Sequence, residues 1–360
     1  MNRRPSILVT GAAGYIGSAL VRALLDRGHP VVAVDSMLFG DRSLAELTHH
    51  PALQIRRMDT RGLQREHLTG IQVVIDLAGL SSDLASELDP VWTDAVNHRA
   101  QVRLARLSRS SGVSRHILIS SSDVYGDQGG DEVHERTPVR PLTHHATSCL
   151  STEAAVLPLA GDGFAPVVLR LGQVFGRSAR MRFDLQVNAM TLSALRLRRI
   201  TLDQGGARRR GHLHLRDAVA AILAAVDAPL NNISRQIFNI SHLSPSAIEI
   251  AETLRQALGS HLCITAQGAS VDRHDHRPDA RKACKLLGLA APLALRTGID
   301  ELLDALDHGL IHDSPEAHTM LWVREVLTLG REARAALDRT AEFHPACPPQ
   351  PARASDLRLQ

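Results

Sequence analysis

SILVTGAAGYIGSALVRALLDRGHPVVAVD, residues 6–35, carries the pattern on which the reading of the whole chain turns. An apolar run at 6–10 predicts a buried strand, and it breaks into a loop with glycines at 11, 14 and 17. Residues 18–27 place apolar side chains at helical spacing up to Gly28, and 31–34 is a second buried run that ends on Asp35. Each glycine has a physical task. Gly11 permits the tight turn, Gly14 lets a pyrophosphate approach the backbone, and Gly17 lets helix and strand pack closely. Tyr15 and Ile16 stand between them at the helix amino terminus, where free N–H groups and the dipole favour an anion. Asp35, 18 residues past Gly17, is placed to accept from ribose hydroxyls and to repel a 2′-phosphate. Strand, loop, helix, strand and terminal acid in that order predict a dinucleotide site, with NAD preferred to NADP.

Outward from this unit the alternation continues. Strands are expected at 53–58, 73–77, 116–120 and 167–171, with helices at 92–110 and 144–159. This predicts an α/β fold, a Rossmann-type doubly wound parallel sheet covered on both faces. After residue 172 the rhythm changes to Arg- and Gly-rich loops, a helix at 216–227, a short strand at 236–240 and a helix at 245–258. A smaller C-terminal substrate-binding domain over the carboxyl ends of the strands is therefore expected. The expected division is 1–172 for the NAD-binding domain and 173–312 for the substrate domain, with segments returning to the first. A helical extension at 313–343 and a disordered, proline-rich tail at 344–360 complete it.

Composition narrows the function classes. A chain of 360 residues with 44% hydrophobic and 22% charged side chains is globular, with room for two domains or one large α/β unit. No apolar run approaches the roughly 18 residues needed to span a bilayer, and the basic, polar start lacks the apolar stretch of a signal peptide. Cys149, Cys263, Cys284 and Cys347 show no close pairing, so a reduced, cytoplasmic protein without membrane attachment is expected. The net charge is +3, and of 41 basic residues only Lys282 and Lys285 are lysines. Arginines cluster at 177/180/182, 196/198/199 and 208/209/210. Aromatics at 3% give few platforms for base stacking, so phosphates of a small ligand, not nucleic acid, are the expected partner.

Further motifs follow in order. They are Met58-Asp59, Asp76-Leu77-Ala78-Gly79, Val96-Asn97 and Ser120-Ser121-Ser122-Asp123-Val124-Tyr125-Gly126. The second half adds Leu169-Arg170-Leu171-Gly172, Arg180-Met181-Arg182-Phe183-Asp184, Arg210 with His214-Leu215-Arg216-Asp217, and Phe238-Asn239-Ile240. With the glycine loop and Asp35, these make the chain resemble the extended short-chain dehydrogenase/reductases, and among them the NAD-dependent nucleotide-sugar epimerase/dehydratases. The resemblance implies that Asp59 holds the adenine amino group, that Leu77, Ala78 and Gly79 line the cofactor trough, and that Asn97 fixes the nicotinamide side. It implies a catalytic Ser/Thr position at Ser121, a diphosphate grip from Asn188 and Arg210, and substrate contacts from Ser122, Tyr125 and Asp272. A homodimer through the helices at 92–110 and 144–159 is also implied, and a monomeric mass in solution would refute it.

One departure stands out. The family needs a Tyr-x-x-x-Lys pair, the tyrosine moving a hydroxyl proton and the lysine lowering its pKa. Counting back from Glu153, His145 occupies the tyrosine place and Cys149 the lysine place. A slipped alignment does not explain this, because the chain has only Tyr15 and Tyr125, and its two lysines lie more than a hundred residues downstream. Three readings are open. In one, His145 replaces the phenol as a base near neutral pH, with Asp123 and Ser121 orienting substrate or relaying a proton. In another, NAD and a nucleotide sugar still bind without ordinary redox turnover. In the third, His145 and Cys149, at i and i+4 on one helix face, act together, the imidazolium favouring a nucleophilic thiolate.

No metal is expected, since His212-x-His214 and His144-His145 lack completing ligands. A hydrolase triad of Ser121, His145 and Asp123 lacks a Gly-x-Ser-x-Gly elbow. The expected function is an NAD-dependent epimerase/dehydratase-type enzyme acting on a nucleotide sugar by transient hydride transfer, with His145 in the tyrosine's place. The alternative is an NAD-binding protein without ordinary redox turnover, a non-redox enzyme or silent partner in a sugar or natural-product pathway.

Overall fold

Short runs such as Ile7-Leu8-Val9 and Val73-Val74-Ile75 have no polar face to offer water, and both are wholly buried. They sit at the centre of a seven-stranded, all-parallel sheet. Its order is Leu53–Arg57, Val31–Asp35, Ile7–Thr10, Val73–Asp76, Arg115–Ser121, Ala165–Leu171 and Gln236–Ile240. The computed structural model describes residues 4–161, 163–268 and 274–329. The doubly wound α/β fold expected from the sequence is the one observed. Helices Tyr15–Asp26 and Leu215–Asp227 bury apolar faces on one side of the sheet. Helices Gln101–Ser110 and His144–Val156 cover the other side. No described helix is long and apolar enough to cross a membrane.

Strand order reverses between Ile7–Thr10 and Val73–Asp76, and a crevice opens at their carboxyl ends. Gly11 leaves the first strand with φ +65°, and a Cβ there would stand 2.9 Å from the Leu77 carbonyl carbon. At Gly17 a Cβ would come within 2.0 Å of the Gly11 carbonyl oxygen, so the helix seats on the loop only with glycine.

The second half divides. Residues 215–240 return to the large sheet as a helix and its edge strand. A second hydrophobic core, with Phe175, Val187, Ile200, Ile250, Leu254 and Ile299, lies around helices Gln186–Leu197, Ala247–Leu258 and Leu295–Asp307. Three two-stranded parallel pairs join distant segments: Gln173–Phe175 with His212–His214, Arg199–Asp203 with Cys263–Gln267, and Asp127–Val133 with Asp275–Pro278. The helix expected at 92–110 is divided into Pro90–Asp94, a π-helical stretch Ala95–Ala100, and Gln101–Ser110. In the C-terminal extension, Thr319–Thr328 is helical. The rest of that extension beyond 329, the tail at 344–360 and Asp272 lie outside the described residues.

Asp76 ends its strand wholly buried and raised by that burial to about 7, although Thr10 Oγ1 donates to it at 2.6 Å. A raised carboxyl favours the folded state at low pH, and its contribution is lost as pH climbs from about 4 to about 7. Asp76→Asn is therefore expected to gain about 2–3 kcal/mol on the wild type between pH 5 and pH 8. Urea unfolding at the two pH values measures it, and an unchanged difference between variant and wild type would contradict the buried-acid account.

Candidate active site

A cavity of about 870 Å³ runs along the carboxyl ends of the strands, from the glycine loop to the start of helix His144–Val156. Gly14 caps helix Tyr15–Asp26 without a side-chain hydrogen bond, so the first-turn N–H groups are left for an anion. Gly11, Gly14, Tyr15, Ile16 and Gly17 all line this end. Asp35 lines it too, its carboxylate accepting from the backbone N–H groups of Ala13 at 2.9 Å and Met37 at 2.8 Å. Burial raises the Asp35 pKa, against the pull of those N–H groups. Asp59 is on the wall beside Thr60, held in a two-pronged pair with Arg61. Opposite lie Leu77, Ala78 and Gly79, whose loop is pinned because Thr10 Oγ1 accepts from the N–H groups of Leu77 and Ala78. Asn97, on the π-helical stretch, accepts from Leu80 N at 2.8 Å and donates to Leu80 O at 3.1 Å, so it clamps this loop from behind. A narrow glycine cradle, a bare helix start and a carboxylate at the far strand end fit a dinucleotide.

At the other end, Ser121 ends its strand and accepts from Asp123 N at 3.1 Å. Asp123 faces Arg210 at 2.8 Å, and Arg210 also lies 3.7 Å from Asp83. Although burial works the other way, Arg210, with His274 and His276, holds the Asp123 carboxyl well below the usual carboxylate range. Asp83, Asp123 and His274 have donor atoms close enough for a metal ion. The Arg210 guanidinium supplies the positive charge that this cluster needs, so the donor set does not call for a cation.

Helix His144–Val156 begins at Thr143, whose Oγ1 accepts from Ala146 N and donates to Asp83. This start fixes His145 and, one turn on, Cys149, both on the cavity wall with His145 Nε2 3.9 Å from the Cys149 sulfur. The His145 Nδ1 atom is buried and finds no hydrogen-bond partner among the described residues. Burial disfavours its charge, yet the Cys149 sulfur, then Asp83 and Asp123, raise the imidazole to about 9. Its proton is therefore held more tightly than burial alone would allow.

Three expected ligand residues stand outside the cavity, and the reason is the same for each. Ser122 is buried beneath its turn, 3.5 Å from His276 Nε2. Tyr125 is wholly buried, its hydroxyl 2.8 Å from Asn239 Oδ1 and accepting from Arg170 at 3.0 Å. Asn188 is also wholly buried, accepting from Gly176 N and donating to the Tyr15 hydroxyl and Arg182 O. Their polar groups are engaged within the protein, and they support the walls from behind. Conversely, the cavity gains Arg180 and Arg182, which sequence reading noted as a cluster and a motif without a site role. Arg182 donates to Ser81 Oγ at 2.8 Å and pairs with Asp184. Gln173 also lines it, with a buried Oε1 that has no partner among the described residues. Arg209, from another cluster, is instead paired with Glu249.

Residues 7–241 match the model of the NAD dependent epimerase/dehydratase family. UDP-glucuronic acid decarboxylase 1 of Xenopus tropicalis is 25% identical over 322 residues, covering 86% of this chain and 74% of that protein. Among solved structures, MoeE5 in complex with UDP-glucuronic acid and NAD superposes with a TM-score of 0.75 at 28% identity, over 84% of this chain and 99% of that one. UDP-glucuronic acid 4-epimerase of Bacillus cereus, in complex with UDP-glucuronic acid and NAD, gives a TM-score of 0.77 at 25% identity over the same shares.

Proposed function

The chain belongs to the NAD-dependent epimerase/dehydratase family, and from that premise we propose that it acts on a nucleotide sugar with NAD held in the glycine-lined trough. NAD held there would supply a reversible hydride acceptor for a sugar carbon. Asp35 receives the adenosine ribose, and the helix start after Gly14 receives the pyrophosphate. Ser121 and Asp123 orient the sugar, Arg210 faces its diphosphate, and His145 stands in the proton-transfer place. The observation that carries this reading is the convergence of Gly14, Asp35, Ser121, His145 and Arg210 on one cavity, though they come from five separate segments. Relatives described with UDP-glucuronic acid make that compound the first substrate to try. The cavity cations Arg182 and Arg210 suit a diphosphate and an acid group.

A second reading has an observation of its own. Neither tyrosine presents a free phenol to the cavity: Tyr125 is buried outside it, and the Tyr15 hydroxyl donates to Gly176 O at 2.7 Å. Lys282 Nζ donates to Ile237 O and does not line the cavity. Binding without ordinary redox turnover is the alternative, in which the same residues hold NAD and a sugar nucleotide and no hydride moves. One experiment separates the two. The purified protein is expected to carry about one dinucleotide per chain, released on denaturation as a mixture of NAD and NADH, with UDP-glucuronic acid converted on incubation. NAD alone, with every sugar nucleotide unchanged, supports the second reading, and no dinucleotide affinity at all sinks both.

A further inference from the structure

The described chain does not stop at the second core. Residues 315–328, well beyond the family match that ends at 241, run back across the mouth of the cavity. His318, Thr319, Met320 and Leu321 contribute to its wall. Two separate anchors hold this strap. On the first half, the Trp322 indole donates to Leu38 O at 2.7 Å, and Val323 is buried with Leu80, Ala85 and Trp92. On the second half, Phe183 N donates to Ala317 O at 2.8 Å, and Thr319 Oγ1 donates to Asp184 at 3.2 Å. The strap therefore ties the rim after Asp35 to the loop at 180–184 across the opening between them.

Beneath the strap sits Arg180. It is 92% buried, its guanidinium lies 4.0 Å over the Phe39 ring, and it donates to Glu316 O and Thr319 Oγ1. Its Nε has no partner, and no ion pair compensates its charge among the described residues. Burial and the neighbouring Arg182 push its pKa down to about 9, and the more distant Asp184 and Asp35 offset this only in part. Buried charges are costly unless paired, so a cation built into this wall points to an anionic group that arrives with a ligand. Phe39 and Leu38 follow Asp35 closely in the chain, and Ser178, two residues before Arg180, donates to Tyr15 O at the start of the first helix, which puts Arg180 at the cofactor end of the cavity, beside the helix start.

We infer that the strap 315–328, with Arg180 beneath it, completes the cofactor site by closing over the phosphate end of the bound dinucleotide, so that NAD stays on the protein between turnovers. This rests on the reading of the trough as the NAD site. Retention also fits a hydride that is lent and returned, because a cofactor regenerated in place has no need to leave.

The test is the rate at which radiolabelled NAD is lost from the full-length holoprotein into excess unlabelled NAD, for the wild type, Trp322→Ala and Arg180→Met. Trp322→Phe, which keeps an aromatic side chain while losing the indole N–H donor to Leu38, guards against a general loss of fold, and each melting curve is taken alongside. The strap variants are expected to lose NAD about 10-fold faster or more, with Trp322→Phe between them and the wild type. Release of bound UDP-glucuronic acid is expected to change less than twofold. Equal NAD rates in wild type and variants would overturn the strap while leaving the trough reading intact. Faster loss of the sugar nucleotide alone would reassign the strap to the substrate and overturn it equally. A wild type with no affinity for NAD would overturn the trough reading, and the strap with it.

Discussion

His145→Phe is expected to lower turnover of the nucleotide sugar by about 10²–10⁴-fold, the usual size of a lost proton-transfer group, with NAD binding and the melting temperature nearly unchanged. Phenylalanine fills the space of the imidazole and cannot move a proton, so the loss separates chemistry from packing. The pH profile adds a sign. The imidazole is raised to about 9, chiefly by the Cys149 sulfur working against burial. If the free base takes the hydroxyl proton, turnover climbs with pH through about 9 and flattens above it. Cys149→Ala removes the largest raising influence, so the inflection moves down toward the ordinary histidine range and the rate at pH 7 rises relative to that at pH 9. Undiminished turnover in His145→Phe would end the histidine reading. A profile that falls through pH 9 would show the imidazolium donating the proton. Loss of all turnover in Cys149→Ala, with its fold intact, would shift the chemistry to the thiolate.

How far the site was legible depended on how local its cause was. The glycine loop could be read because most of its constraint lies within the segment itself: Gly17 is forced by the Gly11 carbonyl and Ala12, and Gly11 by its own φ of +65°, while the crowding of Gly11 by Leu77 comes from the neighbouring strand. Asp35 was legible because a parallel sheet puts the second strand's end beside that loop. Asn97 was assigned to the cavity, yet its clamp on Leu80 depends on a π-helical turn, and i→i+5 bonding leaves no mark in the residue pattern. Asn188 and Tyr125 are polar types at positions where the resemblance expects ligand contact. Only the fold shows that their hydrogen bonds close inside the protein. The helix of the strap falls in the helical extension expected at 313–343, but where it docks was illegible for the opposite reason. Thr319 and Trp322 meet Asp184 and Leu38 across 135 and 284 residues of chain, and nothing local announces it.

Glu153 and Arg170 are the place where fold and site share one support. The two are almost wholly buried, with Arg170 Nη2 2.6 Å from Glu153 Oε2 and Nε shared between both carboxylate oxygens. Ser120 Oγ donates to the same carboxylate at 2.5 Å, and Arg170 donates onward to Tyr125. The pair thus joins helix His144–Val156, which bears His145 and Cys149, to the strand that ends in Ser121. Glu153→Ala would leave a buried guanidinium uncompensated, and a loss of about 3–5 kcal/mol is expected in urea unfolding. Turnover should fall as well, because an ångström of drift in His145 costs about 10²-fold. Replacing both partners, as Glu153→Leu with Arg170→Met, removes the stranded charge and is expected to recover much of the stability. The double variant need not recover turnover, since Tyr125 and Ser120 would still lack their partner. Equal destabilisation of single and double variants would show that packing volume, not the buried charge, sets the cost.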